Sequence, residues 1–312
     1  MIIFDTDMSL GTPRAEIDDG AALIVLLRAM GERISAVTTV HGNTTLDNVV
    51  HNTQRLLAYL GREDIPIARG AAEPFVEDKA WFAAWQADYG QTEPWPDFST
   101  LPLAATLMID TIRAHPGQVT VIAVGPLTNL ALALRMAPDI VNLVRELVIM
   151  GGSFGEVEAT AEFNAHCDPE ATHIVLQAGW PIRLLGLNIT QQVLFRREAF
   201  VALPDNNRAV ALLKQQAPGW IDRVEAMGWE IGGCALHDAL AVAAVLDDSL
   251  FVWQETAVTV DLSPKPQRGI IRFQAQTQQP TSKRVAIQVD SQRCYQLIWH
   301  YLQNPSQFEV SN

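Results

Sequence analysis

Positive charge is scarce in this sequence, and so are cysteines, repeats and long apolar runs. The 312 residues carry 22 Lys and Arg against 35 Asp and Glu, a formal net charge of −13. A protein that neutralises phosphates needs basic stripes or patches; none is present, so nucleic acid is excluded as an expected partner. Cys167, Cys234 and Cys294 stand far apart with no C-x-x-C pair. That pattern excludes a disulfide scaffold and a thiolate zinc site, and leaves reduced, mostly buried thiols as the expectation. No apolar run reaches the roughly 18 residues of a membrane span. The opening MIIF meets Asp5 with no basic segment before it, so no signal peptide is expected either. The expectation is a soluble, cytoplasmic chain with no membrane partner. Hydrophobic residues make up 48% and charged residues 18%, enough to build a sizeable core.

What is present is an alternation. Short β-branched runs (MIIFD, RISAVTTV, IPIARG, VTVIAVG, VRELVIMGG, PIRLLGLN) are separated by longer helical patterns such as DDGAALIVLLRAM, LDNVVHNTQRLLAYLG, LTNLALALRMAP and DPEATHIVLQAG. Strands alternating with helices of 10–15 residues indicate βαβ units and a mostly parallel sheet. Gly61 and Gly179 follow apolar periodic stretches as helix stops. Beyond about Leu262, RGIIRFQAQTQQPTSKRVAIQVD reads as a hairpin closed by a polar turn, and SQRCYQLIWHYLQ as a final amphipathic helix docked on the body. Without repeat or linker, residues 1–312 are expected to form one α/β domain, a mostly parallel central sheet flanked by helices in Rossmann-like topology. Two aromatic-rich segments, FVEDKAWFAAWQADYGQTEPWPDF and APGWIDRVEAMGWEIGGC, lack one clear period. Each is either a packed helical excursion or a lid over a site.

Against this acidic but ordinary background, Asp5, Asp7, Asp18 and Asp19 crowd the start of the chain beside apolar runs. Burying unpaired like charges costs several kcal/mol each, on the order of the penalty for any isolated buried ion, so something must compensate. Ligands of open parallel sheets bind at the carboxyl ends of strands, where Asp5 and Asp7 stand; Asp18 and Asp19 open the next helix, where the dipole favours anions. Asp18 alone reads as an N-cap, and so does Asp238 in ALHDALAVAAVL, with His237 as an ordinary turn histidine. Neither reading explains a second adjacent carboxylate and two more on the strand. A hard divalent cation does, since Ca²⁺ takes six to eight oxygens in irregular geometry. Asn43 in VHGNTT and the turn VGPLTN fall at further strand ends.

In this order and over nearly the whole chain, DTD…DD, HGN, GPLTN, AEFNAHCDPEA and HDALAVA resemble the inosine/uridine-type nucleoside hydrolases. The resemblance implies a single α/β domain, a tightly bound Ca²⁺, and hydrolysis of the N-glycosidic bond of a small nucleoside or N-riboside by a homodimer or homotetramer. Carried over by position, Asp7 would bind the metal and act as general base on its water; Asp19, Asp238 and the carbonyl of Val124 would be further ligands. Asp18, Asn43 and Asn164 would hold the ribose 2′- and 3′-hydroxyls, Glu162 would reach towards the 5′-hydroxyl, and His237 would protonate the departing base. Such groups suit the chemistry: carboxylates stabilise an oxocarbenium-like ribosyl cation, and a metal lowers the pKa of its water.

The chain departs from the family's pattern twice. Asp7 and Asp18 are eleven positions apart where the pattern has four, so 8–17 (MSLGTPRAEI) is an insertion expected to loop out beside the metal and reshape the sugar or base pocket or make subunit contacts. Glu156 stands where the family places an asparagine for the 5′-hydroxyl, which sets two carboxylates at one subsite and disfavours a 5′-phosphate. Two rivals remain at this level. One is a noncatalytic ribose- or nucleoside-binding homologue; the other is a haloacid-dehalogenase-type phosphatase with Asp5 as nucleophile.

Overall fold

The computed structural model describes residues 1–77, 80, 83–85, 95–154, 161–205, 207–273 and 282–305. Glu156 lies outside the described residues, and so does much of the first aromatic segment.

The apolar runs of the strands split by parity, as side chains that alternate between faces must. In β1 (Ile2–Thr6), Ile2 and Phe4 enter one core cluster and Ile3 the other. After β2 (Ile34–Thr39) and β3 (Ile67–Arg69), the split recurs in β4 (Thr120–Ala123), with Ile122 on one side and Val121 and Ala123 on the other. It recurs in β5 (Glu146–Met150), where Val148 and Met150 oppose Leu147 and Ile149. Both faces are therefore covered, as parallel sheets require. On one face lie α1 (Asp18–Met30) and α2 (Leu46–Tyr59); on the other, α3 (Ala104–Ala114) and α4 (Thr128–Met136). Thr45 caps α2 by accepting from the Asn48 amide, and Gly61, at φ +66°, follows its end, where a left-handed residue closes a helix.

The later chain adds α5 (Phe163–Cys167) and α6 (Pro169–Gln177), the latter capped by Asp168. Strand β6 (Ile182–Leu185) leads to the short α7 (Leu187–Thr190), β7 (Leu194–Arg196) and α8 (Arg197–Val201). Next come α9 (Arg208–Ala226), β8 (Gly233–Ala235) and α10 (His237–Leu246). The chain closes with β9 (Phe251–Glu255), β10 (Val258–Val260), β11 (Ile271–Phe273), β12 (Lys283–Val289) and α11 (Ser291–Gln303). Helix α11 docks Cys294, Ile298 and Leu302 into the core, as its amphipathic pattern predicts. The aromatic segment at 217–234 is a packed helix, the second half of α9, followed by a turn into β8.

The main sheet has eight strands in the order β3-β2-β1-β4-β5-β6-β12-β9, parallel except for β12 against β9. Among the described residues, the strands expected to form a hairpin after Leu262 do not pair with each other. Strand β11 pairs with β10, whereas β12 joins the main sheet beside β6 and β9. Apolar alternation identified both strands but carries no information on which neighbour each one finds. Among the described residues, no helix is long and apolar enough to cross a membrane.

Winding reverses between β1 and β4: β2 and β3 lie to one side of this pair, β5 and β6 to the other. The crevice outside the carboxyl ends of strands at such a switch point is the standard ligand site of open α/β sheets.

Candidate active site

Four carboxylates are driven into that crevice because the elements bearing them are core elements. Asp7 follows β1, Asp18 and Asp19 open α1, and Asp238 lies in the first turn of α10; all four are almost wholly buried. Two helix N-termini thus point their positive dipole ends at the same place, which favours anions there. Asp18 ties them together, accepting from the amide of Asp19 (3.0 Å) and from that of Asp238 (3.4 Å). Oxygens of Asp18, Asp19 and Asp238 come within 4.8 Å of one another.

Asn43, just past β2, links Asp7 to Asp19. Its amide N–H donates to Asp7 Oδ2 (2.7 Å) and its Nδ2 to Asp19 Oδ2 (3.3 Å), while the Thr6 hydroxyl donates to Asp19 Oδ1. Asp7 Oδ1 and Asn43 Oδ1 are buried with no hydrogen-bond partner. Burial pushes Asp7, Asp18 and Asp238 well above the usual carboxylate range, and the charge of neighbouring aspartates pushes them further. Burial raises Asp19 to about 6, against the lowering bonds from Thr6 and Asn43. An all-oxygen donor set with orphaned oxygens and too much negative charge fits a hard divalent cation.

A cavity of about 340 Å³ opens over this cluster, a size typical of small-molecule sites. Asp18, Asn43, Val124, Glu162, Asn164, His237 and Asp238 reach its wall; Asp7 and Asp19 are buried behind Asn43. Asn164 Nδ2 donates to the carbonyl of Val124 (2.8 Å), just past the end of β4, and both residues lie on the cavity wall. Glu162 caps α5, taking the amides of Asn164 (2.8 Å) and Ala165 (3.2 Å) and that of Gly152 (3.2 Å). Burial raises its pKa and those N–H groups oppose the rise. His237 Nδ1 lies 2.7 Å from the Thr190 hydroxyl, and burial lowers the ring to about 4, so the imidazole stands neutral at pH 7.

Asp5 takes no part in the cavity. Its Oδ1 accepts from the Thr38 hydroxyl (2.6 Å) and from Asn129 Nδ2 (2.8 Å), and burial pushes it up to about 7. It joins β1 to β2 and α4, which removes the nucleophile that a phosphatase would need.

Several wall residues belong to segments that the sequence marked only as segments, the 8–17 insertion and the two aromatic stretches, and Gln191 carried no signal at all. Glu16, Trp85, Gln191, Trp229 and Glu230 all line the cavity. Glu16 belongs to the 8–17 loop and Glu230 to the turn after α9, where its Oε1 stands 3.9 Å from His237 Nε2, and nothing local in the sequence places either on this wall.

An open α/β sheet with a buried, oxygen-only acidic cluster at its switch point and a cavity above it defines a small-molecule site with room for a hard cation. The family described as inosine-uridine preferring nucleoside hydrolase matches residues 2–296, and the chain belongs to it. It is accordingly an N-glycosyl hydrolase. The chain is 31% identical over 284 residues to the pyrimidine-specific ribonucleoside hydrolase RihA of Citrobacter koseri, covering 88% of this chain and 91% of that one. Against the inosine-uridine preferring nucleoside hydrolase of Crithidia fasciculata it is 30% identical over 307 residues, 95% of each chain. Among solved structures, a plant nucleoside hydrolase superposes with a TM-score of 0.80 at 28% identity, covering 97% of this chain and 99% of that one. The purine-preferring ribonucleoside hydrolase of Gardnerella vaginalis gives 0.83 at 25% identity, covering 97% and 98%.

Proposed function

We propose that the chain hydrolyses the N-glycosidic bond of ribonucleosides or related N-ribosides, releasing the base and free ribose, with Ca²⁺ as its metal. The observation that carries this reading is the buried Asp7–Asp18–Asp19–Asp238 cluster with its orphaned Asp7 oxygen at the switch point. Asp7, Asp19, Asp238 and the Val124 carbonyl would hold the ion, with Asp18 in contact with the same cluster. When bound, the ion orients the sugar hydroxyls and acidifies water.

The remaining chemistry falls to side chains. Asp7 accepts the proton of the attacking water. Asp18, Asn43 and Asn164 orient the 2′- and 3′-hydroxyls, and Glu162 faces the sugar from α5, where its charge favours a ribosyl cation. His237 lies next to the leaving base. With the Thr190 hydroxyl donating to Nδ1, the proton of a neutral ring sits on Nε2 and is offered to the base as a hydrogen bond. Residues 1–312 act as one unit in which 8–17 is an inserted loop, and the family resemblance supports a homodimer or homotetramer.

The test is release of free ribose from a panel of purine and pyrimidine ribonucleosides, with the parent and Asp7→Asn compared. The parent releases ribose, and Asp7→Asn lowers kcat at least about a thousandfold with its circular dichroism unchanged, having lost a base and a ligand charge together. Phosphate release from phosphoesters without ribose release would overturn the reading.

A further inference from the structure

Beyond the groups assigned to the sugar, the cavity wall is aromatic and acidic. Trp85, Trp220 and Trp229 reach it, with the Trp85 and Trp229 rings 6.3 Å apart and within 18° of parallel, and Phe163 lies 5.3 Å from Trp85. Glu230, next in the chain to Trp229, is fixed: Oε2 accepts from the Ala235 amide (2.7 Å), and its side chain is 9% exposed. Its Oε1 is buried with no hydrogen-bond partner and stands 3.9 Å from His237 Nε2. No Lys or Arg lines this cavity among the described residues; the Arg223 guanidinium packs over the Trp85 ring (5.0 Å) without joining the wall. A carboxylate oxygen left without a partner, among tryptophan faces and away from basic side chains, is the equipment that recognises an organic cation. Burial raises the Glu230 carboxyl and the Ala235 amide opposes the rise; a cation beside it favours the charged form further.

We propose that the cavity takes N-ribosides whose aglycone is an organic cation, a pyridinium with C1′ bonded to a quaternary ring nitrogen. This rests on the hydrolase reading above and names its substrate class. The positive ring lies against the tryptophan faces with its charge beside Glu230 Oε1. On hydrolysis the water oxygen bonds to C1′ and its proton goes to Asp7, while the C1′–N electron pair returns to the ring nitrogen. The ring leaves as a neutral pyridine, so no proton has to be delivered to it. A neutral nucleoside, by contrast, must expel an anion or be helped by a donor. In the transition state the positive charge passes from the ring to the sugar, so Glu230 acts on binding and not on the chemical step. It sets specificity and is not an acid–base catalyst.

The experiment measures ribose release from N-ribosyl-3-carbamoylpyridinium, uridine and inosine in excess Ca²⁺, with the parent, Glu230→Gln and Trp229→Leu. In the parent the KM of the pyridinium is at least about fivefold below those of both nucleosides, within the range of one cation–π contact. In Glu230→Gln, whose amide oxygen still accepts from Ala235, the ratio of the pyridinium KM to either nucleoside KM rises at least about fivefold, and in Trp229→Leu at least about twofold. A KM ratio within one variant is insensitive to the fraction folded, so a structural role alone does not move it. Calorimetric binding of 1-methyl-3-carbamoylpyridinium against 3-methylbenzamide, alike in shape and different in charge, reads the same preference without turnover. The cation binds the parent at least about fivefold tighter, and Glu230→Gln brings the two within about twofold. No hydrolysis of the pyridinium where a nucleoside is hydrolysed, equal binding of the cation and its neutral counterpart, or KM ratios unmoved in both variants overturns the proposal. Preferential binding of the cation with no ribose released from any substrate would sink the hydrolase reading and keep the cation site.

Discussion

Asp7 keeps its place because two neighbours have no side chain. A Cβ on Gly42 would sit 1.9 Å from Asp7 Oδ2, and one on Gly125 would sit 2.9 Å from Asp7 Oδ1 and 2.7 Å from Val40 Cγ1. The glycines of HGN and GPLTN are thus part of the site without touching substrate. A second residue-scale network lies just behind. The Thr128 hydroxyl donates to Asp168 Oδ2 (2.8 Å), so the neutral His41 ring carries its proton on Nε2 and donates it to Thr128 Oγ1 (3.0 Å). Burial lowers His41 to about 3. The folded protein therefore stays unprotonated there while the unfolded chain takes up a proton below about pH 6.5. Stability from this group is full above pH 6.5 and is lost, by about 1.4 kcal/mol per pH unit, as pH falls towards 3. Between pH 7 and 5 the parent should lose about 2 kcal/mol more than His41→Gln in urea unfolding; parallel losses would contradict the assignment. Residues adjacent in sequence, such as the DTD…DD cluster, were legible from the chain alone. Glu16, Glu230 and the His41–Thr128–Asp168 chain were not, because they meet only through the fold.

At the scale of elements, the 8–17 loop behaves as a packed part of the core. Met8, Leu10, Ala15 and Ile17 are buried. Asn52 of α2 donates to the Met8 carbonyl (3.3 Å) and the Thr12 hydroxyl (3.0 Å), and the Gly11 amide donates to Gln216 of α9 (2.7 Å). Leu10 lies over Gly20 of α1 so closely that a Cβ there would meet it at 2.2 Å. Leu10→Ala should therefore cost about 2–5 kcal/mol, the range for a buried leucine, read as a lower urea midpoint at unchanged slope. A loss below about 1 kcal/mol would mean that the loop is only loosely attached. In the sequence this loop is marked by the eleven positions between Asp7 and Asp18, and loop closure costs little per added residue. Its partners on α2 and α9 are 40 to 44 and 205 residues away, which is why its packing escapes a local reading. The hairpin expected after Leu262 failed for the same reason, since β12 finds β6 across about 100 residues of chain.

For the molecule as a whole, alternating strands and helices announced a parallel α/β sheet, while strand order, and with it the switch point, came only from the structure. That order explains why a chain with net charge −13 buries carboxylates: the sheet's ligand crevice falls where β1, α1 and α10 deliver Asp7, Asp18, Asp19 and Asp238. The central claim is that this cluster hydrolyses N-ribosides when a hard cation balances its charge. The most direct measurement is ribose release after exhaustive chelation, repeated after Ca²⁺ is restored. Ribose release should fall to about 1% of the starting rate or less as the water-activating ion is lost, and recover when Ca²⁺ is added back. Undiminished ribose release from protein shown by elemental analysis to be metal-free would contradict it.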